Sequence, residues 1–113
     1  MVDLFTEEIY KNVVEGNMEL YKQFFSCDPN EEGTIEYWKN AIGLYNRLDD
    51  EGKQVLLSII KSTIVDTISN VMAILDGSEG PEDISIKVQL NDHENDCELQ
   101  DSLLAYAEDH EEE

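Results

Sequence analysis

Between Val55 and Leu75 apolar side chains return every three or four positions: Val55, Leu56, Leu57, Ile59, Ile60, Ile64, Val65, Ile68, Val71, Met72, Ile74 and Leu75. At 100° per residue they cover about half of a helical wheel, which predicts one long helix gripped by neighbours on more than one side. The other half holds Ser58, Ser62, Thr63, Asp66, Ser69 and Asn70. Water-facing helix positions usually carry Glu, Lys, Arg or Gln, because Ser, Thr and Asn favour the helix less. This small polar face is therefore expected to be covered, by the C-terminal segment or by a partner. Asp66 would then be hydrogen-bonded to Ser62, Thr63 or Asn70.

Three shorter helices are expected before it. Thr6 is the candidate N-cap of the first, with Glu7 and Glu8 at its positive end and Ile9, Tyr10, Val13 and Val14 on its apolar face. Gly16 and Asn17 are expected to break it, and a second helix should follow from about Met18 to Ser26, burying Leu20, Tyr21, Phe24 and Phe25. After an acidic turn containing Pro29, Thr34 is the candidate cap of a third. Its two flanks, Ile35, Trp38, Ile42, Tyr45 and Tyr37, Ala41, Leu44, Leu48, both read as buried. Asp49, Asp50 and Glu51 suit the start of the long helix, and Asp76 and Gly77 suit its end.

Beyond Gly77 the period changes from 3.6 to 2. Ile84, Ile86, Val88 and Leu90 alternate with Ser85, Lys87 and Gln89, which predicts a strand. Residues 91–96 would turn the chain into a partner strand near Cys97 to Leu99, since a lone strand leaves its backbone groups unpaired. A final helix from about Gln100 presents Leu103, Leu104 and Ala107 and dissolves into a disordered acidic tail over residues 108–113. The expected fold class is α+β and mostly helical: four N-terminal helices with a long central one, a small antiparallel β-hairpin and a C-terminal helix. All of it forms a single domain, 1–113.

Charge sharpens this picture. Lys and Arg number 7 against 27 Asp and Glu, a formal net charge of −20. Residues 1–48 contribute −5, residues 49–75 −2 and residues 76–113 −13. Such a surface repels nucleic-acid phosphate and anionic membranes and attracts basic proteins or cations. Lys61 and Asp66 interrupt the long helix, so it is not expected to span a membrane. No basic start followed by an apolar run opens the chain, and a cytoplasmic location is expected. Cys27 and Cys97 lie 70 positions apart with no partner motif, which reads as two free buried thiols in a reducing compartment.

Candidate chemistry is sparse. Asp28, Asn30, Glu32, Gly33, Ile35 and Glu36 follow the ligand spacing of a calcium-binding EF-hand loop. Lys39, however, stands where the bidentate Glu is required, so Asp28, Asn30, Glu32 and Glu36 form only a weak cation candidate. Asp92, His93, Glu94, Asp96, Cys97 and Glu98 mix hard and soft ligands, with only Cys27 and His110 to complete a zinc set; a solvated turn is the simpler expectation. Histidines fall only at positions 93 and 110, and no glycine-rich phosphate loop is present. Neither an enzyme nor a cofactor is expected.

The long helix ending in Leu75, Asp76 and Gly77, the alternating strand from Ile84 to Leu90 and the following Glu98, Leu99, Gln100, Asp101, Ser102, Leu103 resemble the layout of small bacterial immunity proteins. Those proteins neutralise a toxin domain by direct binding. The resemblance implies an acidic protein-binding module directed at a basic toxin or enzyme. Candidate partner-binding residues are Ser62, Asp66, Ser69 and Asn70 on the polar helix face, and Asp92, Glu94, Asp96, Glu98 and Asp101 in the acidic third. The alternatives are a DNA mimic or other acidic regulator, and a homodimeric structural protein. Direct binding to nucleic acid or membrane is not expected.

Overall fold

The computed structural model describes residues 1–77, 82–94 and 97–110. Its N-terminal quarter is one continuous helical rod made of α1 (Val2–Ile9), a π-helical turn (Tyr10–Glu15) and α2 (Gly16–Phe25). The break expected at Gly16 and Asn17 does not occur. Gly16 keeps helical angles, φ −61° and ψ −46°, and its amide reaches Lys11 O, five residues back. The Asn17 side chain donates to Val13 O at 2.7 Å, inside the helix. Because the rod already begins at Val2, Thr6 is no N-cap but a buried residue. Its hydroxyl meets Asp3 O at 3.3 Å and Ser102 Oγ at 2.6 Å.

The connecting turn uses Gly33 at φ +88°, a left-handed conformation that glycine adopts without strain. Helix α3 (Glu36–Arg47) then starts two residues after Thr34. Ile35 stands at its N-cap, and no side chain caps it there. Phe25 of α2 stacks on Tyr45 of α3 at 4.4 Å between ring centres, and Phe24 lies 4.4 Å from Trp38. These rings, with buried Ile42, clasp α2 to α3. Only one flank of α3 is served by this. Ile35, Tyr37 and Leu44, expected to be buried, are exposed.

The long helix α4 (Asp50–Leu75) begins where expected, with Asp49 Oδ1 accepting from the Gly52 amide at 2.7 Å. It ends at Asp76, and Gly77 follows at φ +82°. At 1.5 Å per residue it is about 39 Å long, most of the molecule's 50 Å. Its neighbours cover less of it than its wide apolar stripe implies. Ser69, Met72 and Ala73 are its buried residues, whereas Val55, Ile59, Val71 and Ile74 are exposed.

The hairpin is shorter and differently paired than the alternation suggests. Strand β1 is Gln89–Leu90 and β2 is His93–Glu94, antiparallel, with Leu90 opposite His93 and Gln89 opposite Glu94. Asn91 and Asp92 turn the chain in two residues, so the partner strand arrives before Cys97. Residues 84–88 form no ladder; Val88 packs against the core while Ile84 is exposed. Helix α5 (Leu99–Asp109) returns along α4 and α1. The core lies at this junction, where Tyr10 and Val14 from the π turn, Met72 from α4 and Leu99 and Leu103 from α5 meet.

Of the acidic tail expected from residue 108, Glu108 and Asp109 belong to this helix, which runs to Asp109, and the His110 ring stacks 4.0 Å from Tyr106. Residues 111–113 lie outside the described residues. Both cysteines are free, but exposed rather than buried. Cys27 is at the end of α2, beyond the core, and Cys97 sits on the bend before α5 with Sγ donating to Asp76 O at 3.0 Å.

Candidate functional site

A mixed polar cleft runs along one face of α4. Positions 58, 61, 62, 65 and 66 fall within about 140° of one another on a helical wheel, and they bring Ser58, Lys61, Ser62, Val65 and Asp66 to its floor. One wall is the N-terminal rod, which contributes Tyr10, Val14, Glu15, Met18, Glu19 and Lys22. The other is the end of α5, with Leu104, Ala107, Glu108 and His110. Two contiguous chambers of about 470 and 490 Å³ share Tyr10, Ser58 and Lys61.

The local sequence explains why the cleft exists. Small Ser58 and Ser62 leave room where longer side chains would fill it. Tyr10 opens the π turn, and its buried ring packs edge-on to Tyr106 at 5.1 Å. A helical turn widened in this way recurs at functional sites in proteins. His110 closes one end; its Nδ1 lies 2.9 Å from Tyr106 O, and Lys61 Nζ reaches the His110 carbonyl at 3.5 Å. The exposed carboxylates Glu15, Glu19, Asp66 and Glu108 line this space together with the side chains of Lys22 and Lys61. This is an arrangement for hydrogen bonding and charge recognition, with the His110 ring held by stacking and by its bond to the backbone.

The candidate residues fall at several separate places. Ser62 and Asp66 line the cleft and are open to solvent, together with Ser58, so the C-terminal segment does not cover this part of the polar face of α4. Asp66 is exposed rather than buried against Ser62, Thr63 or Asn70. Ser69 alone of that face is buried, where Gln100 Nε2 donates to its hydroxyl at 3.0 Å; it is structural. Asn70 is exposed outside the cleft. Asp92 and Glu94 are exposed on the hairpin, and Glu98 and Asp101 at the start of α5. Asp96 lies outside the described residues.

The weak cation candidate does not assemble. Asp28 Oδ1 accepts from the Asn30 amide at 2.9 Å, an ordinary turn bond. Among the described residues no three of His, Cys, Asp and Glu are placed to hold a metal ion, neither around Asp28, Glu32 and Glu36 nor around His93 and Glu94.

Sequence reasoning read Asp76 as a helix stop and missed its second role. The carboxylate is buried, and its two oxygens accept from the amides of Leu99 at 3.1 Å and Gln100 at 3.0 Å. One residue thus ends α4 and caps the start of α5. The nearest signal was the pairing of an acidic stop with a helix that lacks an obvious cap of its own. The Tyr10–Lys61–His110 grouping had no local signal, since its members come from three separate elements.

No family model, no curated protein and no solved structure matches the chain.

Proposed function

We propose that the chain is an acidic protein-binding module, an immunity-type inhibitor that neutralises a basic toxin or enzyme by direct binding. The observation that carries this reading is the exposure of Glu82, Asp83, Asp92, Glu94, Asp101, Glu108 and Asp109. Among the described residues none of them forms a salt bridge. Carboxylates left open in this way, with Lys87 the one Lys or Arg among residues 76–113, make a strongly negative field around the hairpin and α5. Such a field accelerates encounter with a basic partner by about 10 to 1,000-fold and fades as salt is added. The cleft beside α5 supplies mixed hydrogen-bonding groups against which a docked side chain could be held.

The test is capture from nuclease-treated host lysate on the immobilised protein, with elution by salt steps. A parallel column carries a variant with Asp92→Asn, Glu94→Gln and Asp101→Asn. The expected result is one basic protein in stoichiometric amount, released by salt and depleted on the variant column. Equal retention on both columns, unaffected by salt, would overturn the reading. Displacement of many bound proteins by duplex DNA would replace it with mimicry of nucleic acid.

A further inference from the structure

The side of α4 away from the cleft carries a second surface, which the partner reading does not use. Leu56, Ile60, Thr63, Thr67, Asn70 and Ile74 follow one another at steps of four, three, four, three and four residues. This is the spacing of a coiled-coil seam, with Ile, Thr and Ile at one set of positions and Leu, Thr and Asn at the other. Thr63, Thr67, Asn70 and Ile74 are exposed, and beside them Ile59 and Val71 are 57% and 48% exposed. The two ionised residues between positions 56 and 74, Lys61 and Asp66, belong to the cleft. An uncharged strip about 28 Å long therefore lies open on a chain of net charge −20. At its N-terminal half it widens into an apolar groove of about 350 Å³, between α4 and the Tyr37, Trp38 and Leu44 side of α3.

We infer that a second copy of this chain covers the strip, its α4 running antiparallel to the first. Three observations select this occupant. A basic partner, drawn to the carboxylates of residues 82–109, finds no counter-charge on the strip. A second copy brings the same uncharged, heptad-spaced face, and self-complementarity is what a two-fold interface requires. The area is also adequate. Tyr37, Leu44, Ile59, Val71 and Ile74 are between 39% and 65% exposed. At on the order of 150–200 Å² for a fully open side chain of this size, they present roughly 450 Å². The polar seam residues between them bring each copy towards the ~800 Å² per partner of a standard interface. The direction follows from charge. Asp76, Glu94, Glu98 and Asp101 lie at the C-terminal end of α4, on its cap, on the hairpin and at the start of α5, and antiparallel helices place the two copies' acidic sets at opposite ends. The same arrangement sets Val71 and Ile74 of each copy against the groove of the other.

Sedimentation equilibrium of the full chain, from about 5 to 200 μM, at 50 and 500 mM NaCl tests this. We expect a reversible dimer that tightens at least fivefold at the higher salt, because screening relieves repulsion between two copies of like charge. That sign is opposite to the one expected for a basic partner, so the two readings fail separately. Ile59→Lys and Val71→Lys each lower the net negative charge and should still weaken the dimer at least tenfold, with the helical circular dichroism unchanged. Direction is read from a nitroxide on Val55→Cys in a Cys27→Ser, Cys97→Ser background. Antiparallel packing about Val65 separates the labels by about 30 Å along the axis, whereas labels within 15–20 Å would overturn the orientation. A monomer at 200 μM in both salts overturns the inference, as does a monomer that instead partitions onto neutral phosphatidylcholine vesicles.

Discussion

At the scale of single residues, Asp76 ties two helices together. A buried carboxylate that accepts two amide bonds from another helix fixes where α5 begins, and so where Leu99 and Leu103 enter the core. Asp76→Ala leaves those amides unpaired at a site water does not freely reach. The expected cost is about 2–3 kcal/mol, a large part of the ~5–15 kcal/mol available to a domain of this size. Asp76→Asn keeps one oxygen acceptor and should cost about 1 kcal/mol. Urea denaturation at unchanged m-value measures both, and equal losses for the two variants would contradict the cap. The neighbouring tie between α1 and α5 is weaker. Ser102 Oγ donates to Asp3 Oδ1 at 2.6 Å in an exposed setting, and Ser102→Ala should cost no more than about 1 kcal/mol by the same measurement. A still more exposed contact shows what the surface contributes. Glu7, hydrogen-bonded to Lys11 at 2.9 Å, raises the Lys11 pKa above its ordinary value. The small stabilisation it gives is complete below the ordinary lysine range and is lost as pH rises through the raised value.

At the scale of elements, what the sequence made legible was period and punctuation; what it hid was the identity of each neighbour. The 3.6-residue recurrence from Val55 to Leu75 found α4, and Asp49 to Glu51 and Asp76 with Gly77 found its ends within a residue or two. The same recurrence could not say that α2 and α3 would pack on each other through Phe25, Tyr45, Phe24 and Trp38 and leave Ile59 and Val71 uncovered. Alternation from Ile84 to Leu90 marked an extended segment, yet a strand also needs a partner in register, and the tight turn at Asn91 and Asp92 pairs only its last two residues. Gly16 looked like a break because glycine is a poor helix former, but buried Tyr10 and Val14 carry the rod through it. Of the candidate site, Ser62 and Asp66 were legible as an odd run of small polar residues on an apolar helix. The Tyr10 and His110 walls were not, since they come from chain 50 residues away on either side.

The hairpin turn offers a prediction of its own. Asn91 and Asp92 sit at φ +49° and +70°, the double left-handed conformation of the two-residue turns that favour glycine at the second position. Asp92→Gly removes side-chain strain there, as well as one like charge. It should stabilise the protein by about 0.5–1 kcal/mol, read as a higher denaturation midpoint. A lower midpoint would mean that the Asp92 carboxylate holds the turn by a bond of its own.

At the scale of the whole molecule, shape and charge act together. The radius of gyration is 17.6 Å, against about 13 Å for a compact domain of this length. The excess arises because α4 bridges two separate packing centres, the core around Leu99 and Leu103 and the aromatic clasp around Phe25. An elongated chain keeps its carboxylates further apart than a sphere would, which moderates the self-repulsion of 20 net negative charges. Folding still draws those charges closer than they lie in the unfolded chain, so screening should stabilise the folded state. Between 20 and 500 mM NaCl the Debye length falls from about 20 to 4 Å, and a gain of about 1–2 kcal/mol is expected, seen as a rise in melting temperature of several degrees. Because salt should also tighten the dimer, the scan belongs on Ile59→Lys at low micromolar concentration, where association contributes little. A melting temperature that falls with salt would mean that attractive ion pairs outweigh repulsion in the folded state. The protein's acidity would then have a role within its own fold, beside any role in drawing a basic partner to it.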